Sequence, residues 1–156
     1  MKTFKPGDHV VVPGHGLVTV KRLEIRKLGP STRPLYVCWG GPNQMTFLIP
    51  QDDPSLRPAI TAAEADDVLE FLAHGKVHVD ETTWNRRYGE YMEEIRKGSA
   101  FDIAGVFLKL KKVRDTKDLS FGERKMLDQA RYLLTSELSH ALQREVLLHD
   151  SEVDYG

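Results

Sequence analysis

The sequence predicts an α+β fold, a small N-terminal β-barrel followed by an all-α helical C-terminal domain. Three observations lead there. Residues 4–50 hold four short runs rich in β-branched and aromatic residues, each bounded by Gly- or Pro-containing turns. From Thr61 onward apolar residues recur at helical spacing, and two S/T-x-x-E boxes, Thr61–Glu64 and Ser120–Glu123, head such runs. Between the two regions, residues 50–60 (PQDDPSLRPAI) have the proline-rich, polar composition of a domain boundary. The expected division is a β-domain over 1–52, a linker over 53–60, and a helical domain with an acidic tail over 61–156.

Each element has a local reason. Pro6-Gly7-Asp8 is turn chemistry before a short strand, His9–Val12, which Pro13 stops. Pro13-Gly14-His15-Gly16 turns the chain into a second strand, Leu17–Ile25. Residues 27–34 (KLGPSTRP) read as a loop of turn formers. Leu35–Trp39 is a third strand, and Gly40-Gly41-Pro42-Asn43 leads to a fourth, Gln44–Ile49, which Pro50 ends. In the second half, Thr61 and Glu64 open a helix whose buried stripe is Ala65, Val68, Leu69 and Leu72, ending at Gly75. Thr82 or Thr83 can cap the next helix, with Tyr88, Tyr91, Met92 and Ile95 on one face and Gly98 at its end. Ser99 can cap a third, with a stripe of Ile103, Val106, Phe107, Leu110 and Val113. Ser120 and Glu123 open the longest, lined by Met126, Leu127, Ala130, Leu133, Leu134, Leu138, Ala141 and Leu142. A further short helical turn is expected to run to Leu148.

The chain has 156 residues, 40% apolar and 29% charged, which suits one or two small globular domains. Its net charge of −1 argues neither for nor against a polyanion partner, but the charge is uneven. In residues 1–58 eight Lys and Arg stand against four Asp and Glu, and the remainder reverses that balance. The single cysteine, Cys38, excludes an internal disulfide and reads as a buried small side chain. MKTFKPGD is not a secretory signal, and no apolar run reaches membrane-spanning length, so the expected compartment is the reducing cytoplasm and no membrane partner is expected.

The residues do not assemble an active site. His74 and His78 are four apart, but Gly75 lies between them and no carboxylate or thiol completes a metal set. Gly14-His15-Gly16 is not followed by a helix start bearing Lys-Ser/Thr, so it is no phosphate loop. Asp52-Asp53 lacks a spaced partner, and no serine or cysteine sits in a nucleophile turn. The expectation is a protein without catalytic residues, metal or cofactor.

What remains is binding chemistry. Trp84 stands at the mouth of its helix with Arg86 and Arg87 directly behind it. Four residues before Tyr88, it lies on or near the apolar face, so core packing is the plain reading of the ring. The sharper reading is a planar apolar wedge flanked by cations, the arrangement of a minor-groove binder. The basic run Lys109, Lys111, Lys112, Arg114 and Lys117 is either a solvated helix face or a further phosphate-contacting surface. The β-domain offers an edge strand that can add to a partner's sheet.

At these residues the chain resembles the CarD/CdnL family of bacterial transcription regulators. FKPGDHVVVPGHG (4–16) resembles the family's opening strand and turn, and Glu24-Ile25-Arg26 the end of its second strand. TTWNRRY (82–88) resembles its N-W-x-R-R-Y stretch, and LSFGERKMLDQARYLLTSEL (119–138) its last long helix. The similarity runs from Phe4 to about Leu142, and the opening motif together with W-x-R-R-Y is more specific than either alone. The resemblance implies a Tudor-like N-terminal domain docked on the β subunit of RNA polymerase and a helical domain lying over promoter DNA at the upstream edge of the melted region. It places the wedge on Trp84, the basic pair on Arg86 and Arg87, and a polymerase contact on Arg26. From the basic run Lys109 and Lys112 are expected as further DNA contacts, and Lys27, Thr46 and Leu48 are expected beside Arg26 on the polymerase-binding surface. Two positions depart from the pattern: Leu48 stands where some members have a polymerase-contacting arginine, and Gly89 where some have a lysine near DNA. The implied protein is a monomer that binds promoter DNA without sequence preference. The alternative is a protein-interaction adaptor that binds RNA polymerase or another partner without touching DNA.

Overall fold

A computed structural model describes residues 3–79 and 83–148 and the backbone of 153–154. The chain forms two compact units, Met1–Ala59 and Ile60–Gly156. The α+β class is as the sequence predicts: antiparallel strands first, helices second.

In the first unit, β1 (His9–Val12), β2 (Gly16–Leu28), β3 (Ser31–Gly40), β4 (Met45–Pro50) and β5 (Arg57–Pro58) make one antiparallel sheet in the order β4-β3-β2-β1-β5. Alternation puts Val10, Val18, Val20, Tyr36, Cys38 and Ile49 on the inner face, where they form the core with Leu56. Burial there pushes the Cys38 thiol up to about 11, so it is neutral near pH 7. The Tyr36 hydroxyl closes one end by accepting the Phe4 N–H at 3.0 Å. Gly40 (φ +147°) lets β3 pass close to β2, since a Cβ there would lie 2.8 Å from the Leu17 carbonyl oxygen.

Three sequence expectations need correction in this unit. The sheet is open, with β4 and β5 as its two edges, so it does not close into a barrel. The 27–34 stretch is no loop. The β2–β3 ladder continues to Leu28↔Ser31 and reverses over Gly29-Pro30. These residues are mostly exposed, so no buried face supplied the alternation that marks a strand. The expected linker also contributes structure, because β5 pairs with β1 and Leu56 is 5% exposed in the core.

In the second unit, α3 (Ala100–Thr116) packs against α1 (Ala62–His74), α2 (Trp84–Lys97) and α4 (Phe121–Leu142). Being covered from three directions, α3 buries Ala100 and Ala104 as well as the expected stripe. Both capping boxes form: Thr61 and Glu64 at α1, Ser120 and Glu123 at α4. Thr83 is the N-cap of α2 by its backbone, without a side-chain cap bond, and Thr82 lies outside the described residues. Gly98 (φ +80°) reverses the chain between α2 and α3. The expected helical turn to Leu148 is instead a strand: β6 (Leu147–Leu148) pairs with β7 (Val153–Asp154). Among the described residues no helix is long and apolar enough to cross a membrane.

Candidate nucleic-acid interface

Trp84 is the first residue of α2, and its indole is half-buried against the edge of the helical core. Helical spacing brings Tyr88 and Tyr91 to it edge-on, with ring centroids 5.7 and 6.3 Å away. The indole Nε1 lies against Gly122 in the first turn of α4, where a Cβ would be only 3.2 Å from it. The Arg87 guanidinium carbon is 5.8 Å from the indole centroid, a cation–π distance. The ring is thus held on several sides but not enclosed. Tyr88, placed by helical spacing on one face with Tyr91, Met92 and Ile95, is 46% exposed beside it.

The two arginines of the motif diverge. Arg86 is exposed to solvent, with a long 3.9 Å contact to Glu90. Arg87 turns inward, its side chain 11% exposed, and its Nη2 donates to Oε2 of Glu123 at 3.3 Å. Burial pushes the Glu123 carboxyl up, but hydrogen bonds with Ser120, the charge of Lys117 and the hydrogen bond from Arg87 outweigh it and hold the group below its ordinary value.

The basic run on α3 divides as well. The Lys109 ammonium lies 5.9 Å from the Tyr91 ring centroid, on the aromatic group around Trp84. The Lys112 ammonium donates to the Val77 carbonyl at 2.9 Å. There it borders a groove of about 380 Å³ lined by Leu72, Val77, Leu108, Lys76, Lys111 and Asp115. Phe121 is a residue the sequence reading passed over. It begins α4 one position before Gly122, is 82% exposed, and has the Lys125 ammonium 5.8 Å from its ring centroid. Its absence from the apolar periodicity of α4 was the available signal.

On the sheet, the β-bulge between Val20 and Arg22 resets the alternation of β2. Arg22, Glu24 and Arg26 then share the outer face with Leu35, Val37 and Trp39, and the register carries that face to Thr46 and Leu48 on β4. Glu24 is bonded by both Arg22 and Arg26, the latter at 2.8 Å, and these two guanidiniums hold its carboxyl below the ordinary value. Trp39 is 43% exposed and Leu48 45% exposed on this face. Three of the four expected polymerase contacts therefore share one surface, while Lys27, opposite Thr32, alternates to the other side. Trp39 belongs to this surface and was missed, because a tryptophan inside a strand reads as core.

Among the described residues no three His, Cys, Asp or Glu side chains are grouped to hold a metal ion. Residues 67–147, more than half of the chain, match the family described as "CarD, C-terminal domain". The chain belongs to the CarD family. The CarD match spans Trp84, Arg87, Lys109 and the Ser120–Glu123 box, the residues that build the indole site. The chain is also similar to the "Putative transcription factor YdeB" of Bacillus subtilis (strain 168), 28% identical over 138 residues that cover 86% of this chain and 90% of that one. CarD membership and this relative together support a transcription regulator.

Proposed function

We propose that this CarD-family protein is a non-catalytic regulator that binds RNA polymerase through its sheet unit and stabilises the open promoter by wedging Trp84 at the upstream edge of the melted DNA. The sheet docks on the polymerase β subunit through the outer face of β2–β4, where Arg26, Thr46 and Leu48 lie beside Trp39. The helical unit meets promoter DNA without sequence preference, and Arg86 and Lys109 supply positive charge beside the indole.

The observation that carries this reading is a tryptophan at a helix mouth, partly exposed at the edge of its own core, with an exposed arginine two residues on. Unstacking a base step costs roughly a few kcal/mol. In an open promoter the melting has already met that cost, so an inserted indole gains contact without repeating it. A ligand shifts an equilibrium only by its differential affinity, and this one favours the open state.

Replacing Trp84 with Ala in the full chain tests the wedge. Base–aromatic stacking is worth roughly 1–3 kcal/mol, so promoter open-complex lifetime should fall about fivefold or more, with polymerase binding retained. An unchanged lifetime in a folded Trp84→Ala protein would overturn the reading.

The inward turn of Arg87 onto Glu123 favours a second reading, an adaptor that binds polymerase or another protein without DNA contact. Oxidation of the Trp84 ring by hydroxyl radicals, read by mass spectrometry in the otherwise unsubstituted chain, separates the two. Promoter DNA in the polymerase complex protects an inserted indole from oxidation, whereas an adaptor's indole keeps the accessibility of the free protein.

A further inference from the structure

Glu123 is 1% exposed, an acid buried where the apolar stripe of α4 begins. Capping does not require that burial. At α1, Glu64 makes the same pair of capping bonds with Thr61 while exposed to solvent. Removing a carboxylate from water is costly unless both oxygens are satisfied, and both are engaged here. Oε1 accepts the Ser120 N–H at 3.0 Å and lies 3.6 Å from the Lys117 ammonium, while Oε2 takes the Arg87 guanidinium at 3.3 Å. That guanidinium also sits 5.8 Å from the Trp84 ring centroid. The residue before Glu123 is Gly122, the point where α4 meets the indole nitrogen. One turn of α4 thus reaches Trp84 twice, directly at the ring's edge through Gly122 and through Arg87 by way of the Glu123 carboxylate.

We propose that Glu123 is a positioning residue for Trp84, acting through Arg87: the buried carboxylate holds the guanidinium beside the indole, which fixes the ring in one pose before DNA arrives. The functional part of this inference rests on the wedge reading above. A preorganised ring loses less side-chain freedom on insertion, and the gain appears in complex lifetime. Arg87 then serves the site from inside, and phosphate contact falls to Arg86.

Glu123→Gln in the full chain is the test, because glutamine also satisfies a capping box but lacks the charge that holds Arg87. In a Trp39→Phe background, the variant's Trp84 should be quenched more by iodide and show faster anisotropy decay, with helix content retained. With polymerase and promoter DNA, Glu123→Gln alone, with Trp39 retained, should shorten open-complex lifetime by roughly fivefold. Added to Trp84→Ala, the Glu123→Gln change should cost nothing further, since its effect runs through the missing ring. Arg87→Lys is the second variant, for the case that Glu123→Gln does not fold. It keeps the ion pair but loses the planar group over the indole, so it too should loosen Trp84. An unchanged Trp84 signal in whichever of these variants folds overturns the proposal, as does a lifetime loss that simply adds to that of Trp84→Ala. If Trp84→Ala itself leaves lifetime unchanged, the wedge reading fails, and the fluorescence comparison still decides whether Glu123 positions the ring.

Discussion

Arg86 and Arg87 are neighbours of one residue type with opposite surroundings. Helical geometry turns them about 100° apart, which carries Arg87 onto a buried carboxylate and leaves Arg86 in water. Their substitutions should therefore report different things. Arg86→Gln should leave thermal stability unchanged, since an exposed pair at 3.9 Å contributes little. It should weaken binding evenly across promoter sequences and reduce the salt slope of DNA affinity by about one. Titrating DNA affinity of the full chain against salt, with and without the substitution, checks this, and an unchanged slope would remove Arg86 from the phosphate contacts. The sequence alone showed two adjacent cations. It did not show the division between them, because that depends on Glu123, 36 residues further along the chain.

The first turn of α4 shows how an element can be legible while its chemistry is not. Ser120-x-x-Glu123 marks a helix start by local bonding, and such a signal needs no knowledge of the fold. The α1 start and the buried stripes of α1 and α3 were readable for the same reason. The β2–β3 extension and β6 were not, since their strand character comes from a partner strand and not from an apolar alternation of their own. The role of Glu123 was hidden too, because its burial and its link to Arg87 exist only once α2, α3 and α4 have packed. That packing predicts a pH dependence. The folded carboxyl titrates below its ordinary value, with Ser120, Lys117 and Arg87 facing it. Its contribution to stability is therefore full above the unfolded pKa of about 4.3 and is lost as pH falls through the lower folded value. Melting followed at Trp84 in a Trp39→Phe background should show a drop through this acid range, and a smaller drop in Glu123→Gln. The other carboxylates titrate in both proteins and cancel in the comparison. Parallel acid curves would mean that the folded pKa is not lowered.

At the scale of the whole molecule, each unit has its own core and its own tryptophan: Trp39 on the sheet, Trp84 at the helical bundle's edge. The cores differ in size. The sheet unit buries a small set around Tyr36 and Cys38 behind an open sheet, whereas the helical unit surrounds α3 with three helices. A chain of about 60 residues buries a smaller fraction of its surface than a longer one and is correspondingly marginal. Denaturant sensitivity also scales with the surface that unfolding exposes. Unfolding of the full chain in urea should therefore not be two-state. A Trp84→Phe variant, reporting through Trp39, should show a shallow transition at low urea. A Trp39→Phe variant, reporting through Trp84, should show a steeper one at higher urea. Cys38 supplies an independent check on the first transition, because a thiol at 0% exposure reacts with a disulfide reagent only after the sheet opens. Labelling should follow the Trp39 curve and precede the Trp84 curve. Coincident midpoints and slopes from all three probes would mean that the units unfold as one body, and the sheet's stability would then have to come from the helical unit and not from its own core.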